Sequence, residues 1–489
     1  MISIAEQVFR QAENHGGKIA LSNGKVNVSY NELMVGILSA GSRLRCAYGI
    51  EKGDRVILAA DKQMEFVYIY FACHLLGATT IPIAPDTNEK RYRLIKSKTR
   101  PKLVVGFTDE DNDAQIATIK AFSCDAVTDD DISTVSFPDM DDIADIIFTT
   151  GTTGEPKGVL LSHRNIAAAA RNINEFIRNQ TEDVEMLALP ISHSFGLGRM
   201  RCALSNGQTL VMLGSFANVK RFFRFMEEYK VNGFGMVPAS WALLKKMSGT
   251  NIGKHADQLH YIEIGSAPMP VEEKRLLVDL LPSTRICMHY GLTEASRSAF
   301  MEFHKDEGHL TTVGKQTPNM DITIRGEQGN ILPDGEEGES CVSGDAVTVG
   351  YLDLPKDEAF WADSFRTGDW GSRDSEGYIS LKSRKKELIN VGGKKVSPIE
   401  VEDVLKTFDF IEDCVCVSAP DPEGILGEVV KAFVVTSQPE KILKEYMDKL
   451  IGNKLEGYKH PAIYEAIDEV PKTASGKVQR LLLTQMRIG

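Results

Sequence analysis

No window of this 489-residue chain approaches 18 consecutive uncharged apolar residues, so a helical membrane span is not expected and neither is a membrane partner. Cysteine is scarce: Cys46, Cys73, Cys124, Cys202, Cys287, Cys341, Cys414 and Cys416 form no CxxC pair and no histidine spacing suited to zinc. They read as reduced interior thiols. Cys414 and Cys416 alternate along an apolar stretch, which predicts both on one side of a buried strand. Basic charge is also short, with 56 Lys and Arg against 68 Asp and Glu, a net charge of −12. That balance argues against a nucleic-acid partner while permitting a local positive groove for a nucleotide. Internal repeats, low-complexity tracts and heptad runs are absent. The segment Met1 to Arg10 carries charge too early and too often for a secretory signal, so the cytoplasm is the expected address.

What is present suits a globular chain of two or three structural units: 42% hydrophobic and 25% charged residues. From Arg55 to Ala59 the pattern predicts a strand, then a helix from about Met64 to Leu76, then a strand from Ala78 to Ile83. Further strand-like runs at Leu103 to Gly106, Ile146 to Phe148, Met186 to Leu189 and Thr209 to Leu213 predict α/β architecture with mostly parallel sheets. A helix capped by Ser162 is expected to run to about Ile177. Beyond about residue 310 short segments broken by turns predict a β-rich subdomain, and after Arg384 a small α+β domain follows.

Residues 149 to 158 read Thr-Thr-Gly-Thr-Thr-Gly-Glu-Pro-Lys-Gly after an apolar run. Glycines let backbone N–H groups approach an anion, threonine hydroxyls add donors, and Lys157 adds a compact positive charge. The loop is not a Walker A motif, because Pro156 stands where a second glycine is required. Five more segments have the chemistry of a site: Gly265 to Met269, His289 to Glu294, Phe365 to Trp370, Ser383 to Gly393 and Pro471 to Arg480. Asp369 in the third offers two acceptor oxygens suited to ribose hydroxyls.

In order and spacing these six segments resemble the adenylate-forming superfamily, which includes acyl-CoA synthetases, nonribosomal-peptide adenylation domains and firefly luciferase, over nearly the whole chain. The resemblance implies an α/β fold. A large N-terminal domain (1–385) of stacked α/β subdomains would include a small β-barrel-like subdomain (about 310–383). A small mobile α+β domain (386–489) would follow, hinged at Lys386. ATP, Mg²⁺ and coenzyme A are the implied ligands. Thr149, Thr150, Gly151, Thr152, Thr153, Gly154 and Lys157 would embrace the β- and γ-phosphates, and Ser266, Ala267 and Pro268 would approach the adenine. His289, Tyr290, Gly291, Leu292 and Thr293 would form the adenine and α-phosphate strip, with Glu294 on the metal. Asp369 and Arg384 would clamp the ribose. Lys477 would reach into the site during adenylation, making Lys477, Thr293 and Glu294 the catalytic set, and Gly392 and Gly393 would help form the thiol channel. Ser383 departs from the glycine common in the family.

Residues Pro190 to Gly198 match the family segment that closes the acid pocket, here with His193 and Phe195. Amino-acid-activating members carry an aspartate where this chain has Ser194. A buried α-ammonium would then go unpaired, so α-amino acids are disfavoured. Phe234, Gly235, Met236, Val237 and Trp241 are expected as the pocket wall, with Gly265 and Ala267 leaving room at its floor for an apolar acyl or aryl group. Arg199 and Arg201 are expected to face outward, the alternative being an inward guanidinium for a distal carboxylate. The resemblance thus implies an ATP-dependent carboxylic acid:thiol ligase using coenzyme A. A carrier protein's phosphopantetheine, acting in trans, is the rival acceptor. A nucleotide-binding regulatory protein without catalysis is the rival from another class.

Overall fold

The computed structural model describes the chain except residues 62, 109–113, 123–135, 150–155, 385–386, 393, 424, 473–477 and 486–489. The chain forms two compact units. The first comprises Met1–Thr150, Glu155–Ile322 and Val342–Phe365, and the second Thr323–Cys341 with Arg366–Gly489.

In the first unit, alternation of buried strands and amphipathic helices builds two sheets. The seven-stranded sheet runs in the order Gly350–Tyr351, Gly158–Ser162, Ile143–Phe148, Thr79–Ile83, Arg55–Ala59, Leu103–Val105, Gln115–Ala117. The nine-stranded sheet has a parallel centre of Arg285–Tyr290, Tyr261–Ile264, Gly233–Met236, Val184–Leu187, Thr209–Met212 and Ile19–Ser22, flanked by antiparallel edges. Central parallel strands are covered on both faces, which is why they read as continuous apolar runs.

Several expectations hold to within a residue or two. Met64–Leu75 is helical, and Ser162 caps His163–Ile177 through a reciprocal box in which its hydroxyl accepts from the Asn165 N–H and Asn165 Oδ1 accepts from the Ser162 N–H at 2.9 Å. One element was not expected. Gly158–Ser162 is a strand antiparallel to Ile143–Phe148, pairing Phe148 with Gly158, so the hydroxyl-rich loop closes a hairpin and the helix begins a strand later. A three-residue apolar run, Val159 to Leu161, between glycine and serine carries no alternation that would have marked it as a strand.

The second unit carries a three-stranded sheet of Asp413–Pro420, Glu428–Val435 and Ile463–Ala466 with the helices Pro398–Leu405 and Lys444–Ile451. Cys414 and Cys416 both enter its core. The division between units falls earlier in the chain than the expected boundary at 385–386. The reason is local pairing: Ser364–Arg373 is antiparallel to Ile379–Arg384, and the Ser397 hydroxyl donates to the Lys382 carbonyl at 2.6 Å, tying that hairpin to the small unit.

Candidate active site

Within the first unit the hairpin closes with the Thr149 N–H donating to the Lys157 carbonyl at 3.0 Å. Lys157 Nζ lies 4.8 Å from the centre of the Tyr351 ring, and the Tyr351 hydroxyl donates to Glu294 Oε1 at 2.7 Å. The cation of the phosphate loop is therefore linked through one tyrosine to the carboxylate expected to hold the metal. Nothing in the sequence marked Tyr351, which stands in a short two-residue strand outside every motif.

Thr293 Oγ1 and Ser194 Oγ are 3.3 Å apart, which joins the α-phosphate strip to the acid segment. His193 immediately precedes the helix Ser194–Ser205. The expected adenine turn at Ser266, Ala267 and Pro268 is tight, with Ser266 at φ 74°, a left-handed conformation that L residues adopt at some cost. At Gly291 a Cβ would collide with the Arg297 backbone, so only glycine admits this turn, and the Leu292 N–H closes it on the Ala295 carbonyl at 3.0 Å.

The oxygen-only donors here, the Glu294 carboxylate beside the Thr293 hydroxyl, suit a hard cation that keeps waters and takes phosphate oxygens, so magnesium fits. Among the described residues no group of three or more His, Cys, Asp or Glu could by itself hold a metal ion.

In the second unit Arg384 Nε stands 2.9 Å from Asp369 Oδ1, and its Nη1 donates to the Thr367 carbonyl at 2.9 Å. The pair is formed by cross-strand register, Asp369 opposite Arg384. Asp369→Ala is expected to raise the KM for ATP roughly 10- to 100-fold with a smaller change in kcat, the value of hydrogen bonds to a charged acceptor. Steady-state kinetics with ATP varied check this. Gly392 sits in the turn between Ile389–Val391 and Lys394–Val396 at φ 55°, and its N–H donates to the Leu426 carbonyl. Thr150, Gly151, Thr152, Thr153, Gly154, Lys386, Gly393 and Lys477 lie outside the described residues.

Phe234, Met236 and Trp241 of the expected pocket wall are buried, with the Trp241 indole N–H donating to Glu273 at 2.6 Å. At Gly265 the His289 imidazole occupies the place a Cβ would take. Gly235 is in contact range of Leu189, Phe195 and Arg199.

Arg199 and Arg201 are not outward surface residues; both are buried and ion-paired. Arg199 binds Glu185 bidentately, with Nε at 2.7 Å, and reaches Glu263 at 3.1 Å. Arg201 pairs with Asp145 and donates to the Tyr70 hydroxyl at 2.8 Å. Glu263 also faces His289 Nδ1 at 2.7 Å and Arg297 Nε at 3.0 Å. Burial alone would push the Glu263 carboxyl up, but Arg297, His289 and Arg199 hold it well below the usual carboxylate range. The buried His289 imidazole has its pKa lowered by desolvation, against the pull of Glu263.

Arg297 was missed by sequence reasoning, which stopped at the end of the Tyr-Gly-Leu-Thr-Glu segment. It is 3% exposed and donates to the carbonyls of Ser194 and Phe195 at 3.3 and 3.2 Å.

Comparison with known proteins gives the family and the fold. The model of the AMP-binding enzyme family matches residues 8–352, and that of the AMP-binding enzyme C-terminal domain matches 400–477. The chain is 30% identical to an oxalate–CoA ligase of Arabidopsis thaliana over 95% of this chain and 94% of the relative. It is 27% identical to a 2-succinylbenzoate–CoA ligase of Bacillus velezensis over 99% and 98%. The o-succinylbenzoate CoA synthetase of Bacillus subtilis, solved with its acyl-adenylate, shares the fold with a TM-score of 0.87 at 24% identity, covering 99% of this chain and 98% of that one. Among the described residues no helix is long and apolar enough to cross a membrane. With both family models matched in order, the first over more than half of its length, the chain belongs to the AMP-binding enzyme family.

Proposed function

We propose that the chain joins a small-molecule carboxylic acid to coenzyme A in two half-reactions driven by ATP. The observation that supports this reading is the contact of Ser194 with Thr293, which in this reading brings the acid-binding segment beside the hydroxyl that would donate to the α-phosphate. In the first half-reaction a carboxylate oxygen attacks the α-phosphorus. The bond to the bridging oxygen breaks, and pyrophosphate leaves with its electrons. Two anions must meet, so catalysis consists largely of positioning and of positive charge placed where negative charge grows. Lys157 draws the outer phosphates, the Thr293 hydroxyl donates toward the α-phosphate, and Asp369 holds the ribose. Magnesium, when bound at Glu294, neutralises phosphate charge. Lys477 supplies its ammonium to the crowded oxygens. In the second half-reaction a thiolate attacks the acyl carbonyl and AMP leaves. Lys386 is the hinge of this reading, with Gly392 and Gly393 beside the thiol.

A phosphopantetheinylated carrier protein acting in trans would serve the same second step, and no carrier-like Asp-Ser-Leu segment occurs in this chain. AMP and pyrophosphate formed with acid and coenzyme A are the expected products, whereas ADP would overturn the reading. Lys477→Ala is expected to slow acid-dependent pyrophosphate exchange about 10²- to 10³-fold, the usual cost of losing one charge-stabilising group. ATP binding should fall only modestly. Unchanged exchange would remove the role given to Lys477.

A further inference from the structure

Tyr351 belongs to none of the six motif segments, yet its strand touches both the phosphate hairpin and the strip that ends at Glu294. Gly350–Tyr351 lies antiparallel to the second arm of the hairpin, with Gly350 opposite Leu160 and Tyr351 opposite Val159. The Leu352 N–H donates to the Gly158 carbonyl at 2.8 Å, and the Thr348 hydroxyl donates to the Leu160 carbonyl at 2.5 Å. In the other direction the Thr348 N–H donates to the Glu294 carbonyl at 2.7 Å, and Ala295 pairs with Val347 in an antiparallel bridge. Residues 347–352 thus clasp the two segments by their backbones.

The Tyr351 side chain adds a chemical link to that clasp. Its hydroxyl donates to Glu294 Oε1 at 2.7 Å, and Glu294 is only 8% exposed, so water competes little for the carboxylate. A carboxylate free to turn presents its oxygens in many directions, whereas one held at Oε1 presents Oε2 in one. Such outer hydrogen bonds to a ligating group are usually worth about 10- to 100-fold in metal affinity. The ring serves a second purpose. Lys157 Nζ stands 4.8 Å from its centre, and an exposed ammonium gains about two- to fivefold from such a ring. Phenylalanine at this position would keep the ring and lose the hydroxyl, so the two contributions can be separated.

We propose that Tyr351 is a positioning residue for the magnesium nucleotide: its hydroxyl orients the Glu294 carboxylate toward the ion, and its ring seats Lys157 for the outer phosphates. The inference rests on the ligase reading above, in which Glu294 takes the metal and Lys157 the phosphates, and adds to it a residue that no motif contains.

The test is calorimetric titration of the full chain with the ATP analogue that carries a methylene bridge between its α- and β-phosphorus, once in magnesium and once in EDTA. Tyr351→Phe is expected to weaken binding about 10- to 100-fold in magnesium and to leave it unchanged in EDTA, because without the ion the hydroxyl has nothing to orient. Tyr351→Leu should also weaken binding in EDTA, by about two- to fivefold. If Tyr351→Phe weakens binding equally in both conditions, the hydroxyl is a structural tie and the proposal is overturned. Unchanged binding in both overturns it as well, and unchanged binding of Tyr351→Leu in EDTA overturns the seat for Lys157. In each of these cases the parent still binds the analogue, so the ligase reading stands. A parent that binds it in neither condition would remove that reading and the proposal together. Should Tyr351→Leu not fold, Tyr351→Phe, which keeps the ring, decides by itself.

Discussion

Glu263→Leu should destabilise the large unit by about 3–5 kcal/mol, the usual cost of removing one partner from a buried ion pair. Glu263 is fully buried on the strand Tyr261–Ile264, and three groups face its carboxylate: Arg297, His289 and Arg199. Arg199 keeps Glu185, but Arg297 loses the carboxylate at its Nε and stays only 3% exposed. Its charge is then buried against two carbonyls and the Ser296 hydroxyl, with no carboxylate. Replacing both partners, Glu263→Leu with Arg297→Leu, should recover a large part of the loss, because a buried pair exchanged for apolar groups of similar volume is often neutral. Denaturant unfolding of the two variants and the parent measures both quantities. A loss under about 1 kcal/mol for the single variant would show that the carboxylate does not compensate the two arginines.

Acid should begin to destabilise the first unit before its surface carboxylates titrate, through a buried histidine beside the second buried network. Asp145 lies in the strand that leads into the phosphate hairpin. It pairs with Arg201, accepts from Tyr70 at 3.0 Å and faces His74 at 3.3 Å. Burial alone would raise its pKa, yet Arg201 and then His74 hold the carboxyl well below the usual range. The neighbouring His163 imidazole packs edge-on against His74 with ring centres 4.9 Å apart, and burial pushes its pKa down to about 3.

For His163 the unfolded chain takes up a proton near pH 6.5 and the folded chain only near pH 3, so the unfolded state binds more protons across that window. Stability therefore falls as pH drops from about 6.5 toward 3, by up to about 1.4 kcal/mol per pH unit from this one group. Asp145 acts in the same direction lower down. Its depressed pKa stabilises the fold above the unfolded value of about 3.9, and that contribution is lost as pH falls further. Denaturant midpoints measured between pH 7 and 4 should show the slope, and His163→Leu should flatten it. An unchanged slope in that variant would assign acid lability to other groups.

Much of the fold was legible because its signals are local. Arg55–Ala59 and Met64–Leu75 follow from apolar periodicity, and the Ser162 cap from one hydroxyl three residues ahead of a side-chain amide. The strand Gly158–Ser162 was not legible, since an antiparallel hairpin depends on pairing with Ile143–Phe148 rather than on any pattern of its own. At the site, Thr293 and Glu294 carried family chemistry in their own sequence neighbourhood, whereas Tyr351 and Arg297 act only through contacts made in space. Arg199 and Arg201 show the same limit. A lone arginine on a helix reads as solvated, because the carboxylates that bury it come from other elements, Glu185 and Glu263 on two strands of one sheet and Asp145 in the other sheet.

Sequence by itself determined the family, the order of the motifs and the class of chemistry, because each motif is a short run whose residue types already suit phosphate, ribose or carboxylate. Tertiary structure alone decided what surrounds Gly265. Gly265 looks like open space in one dimension. Only folding brings His289 from a neighbouring strand into that space, with Arg297 and Phe195 beside it, since packing is fixed by through-space volume and by the partners each buried charge must find.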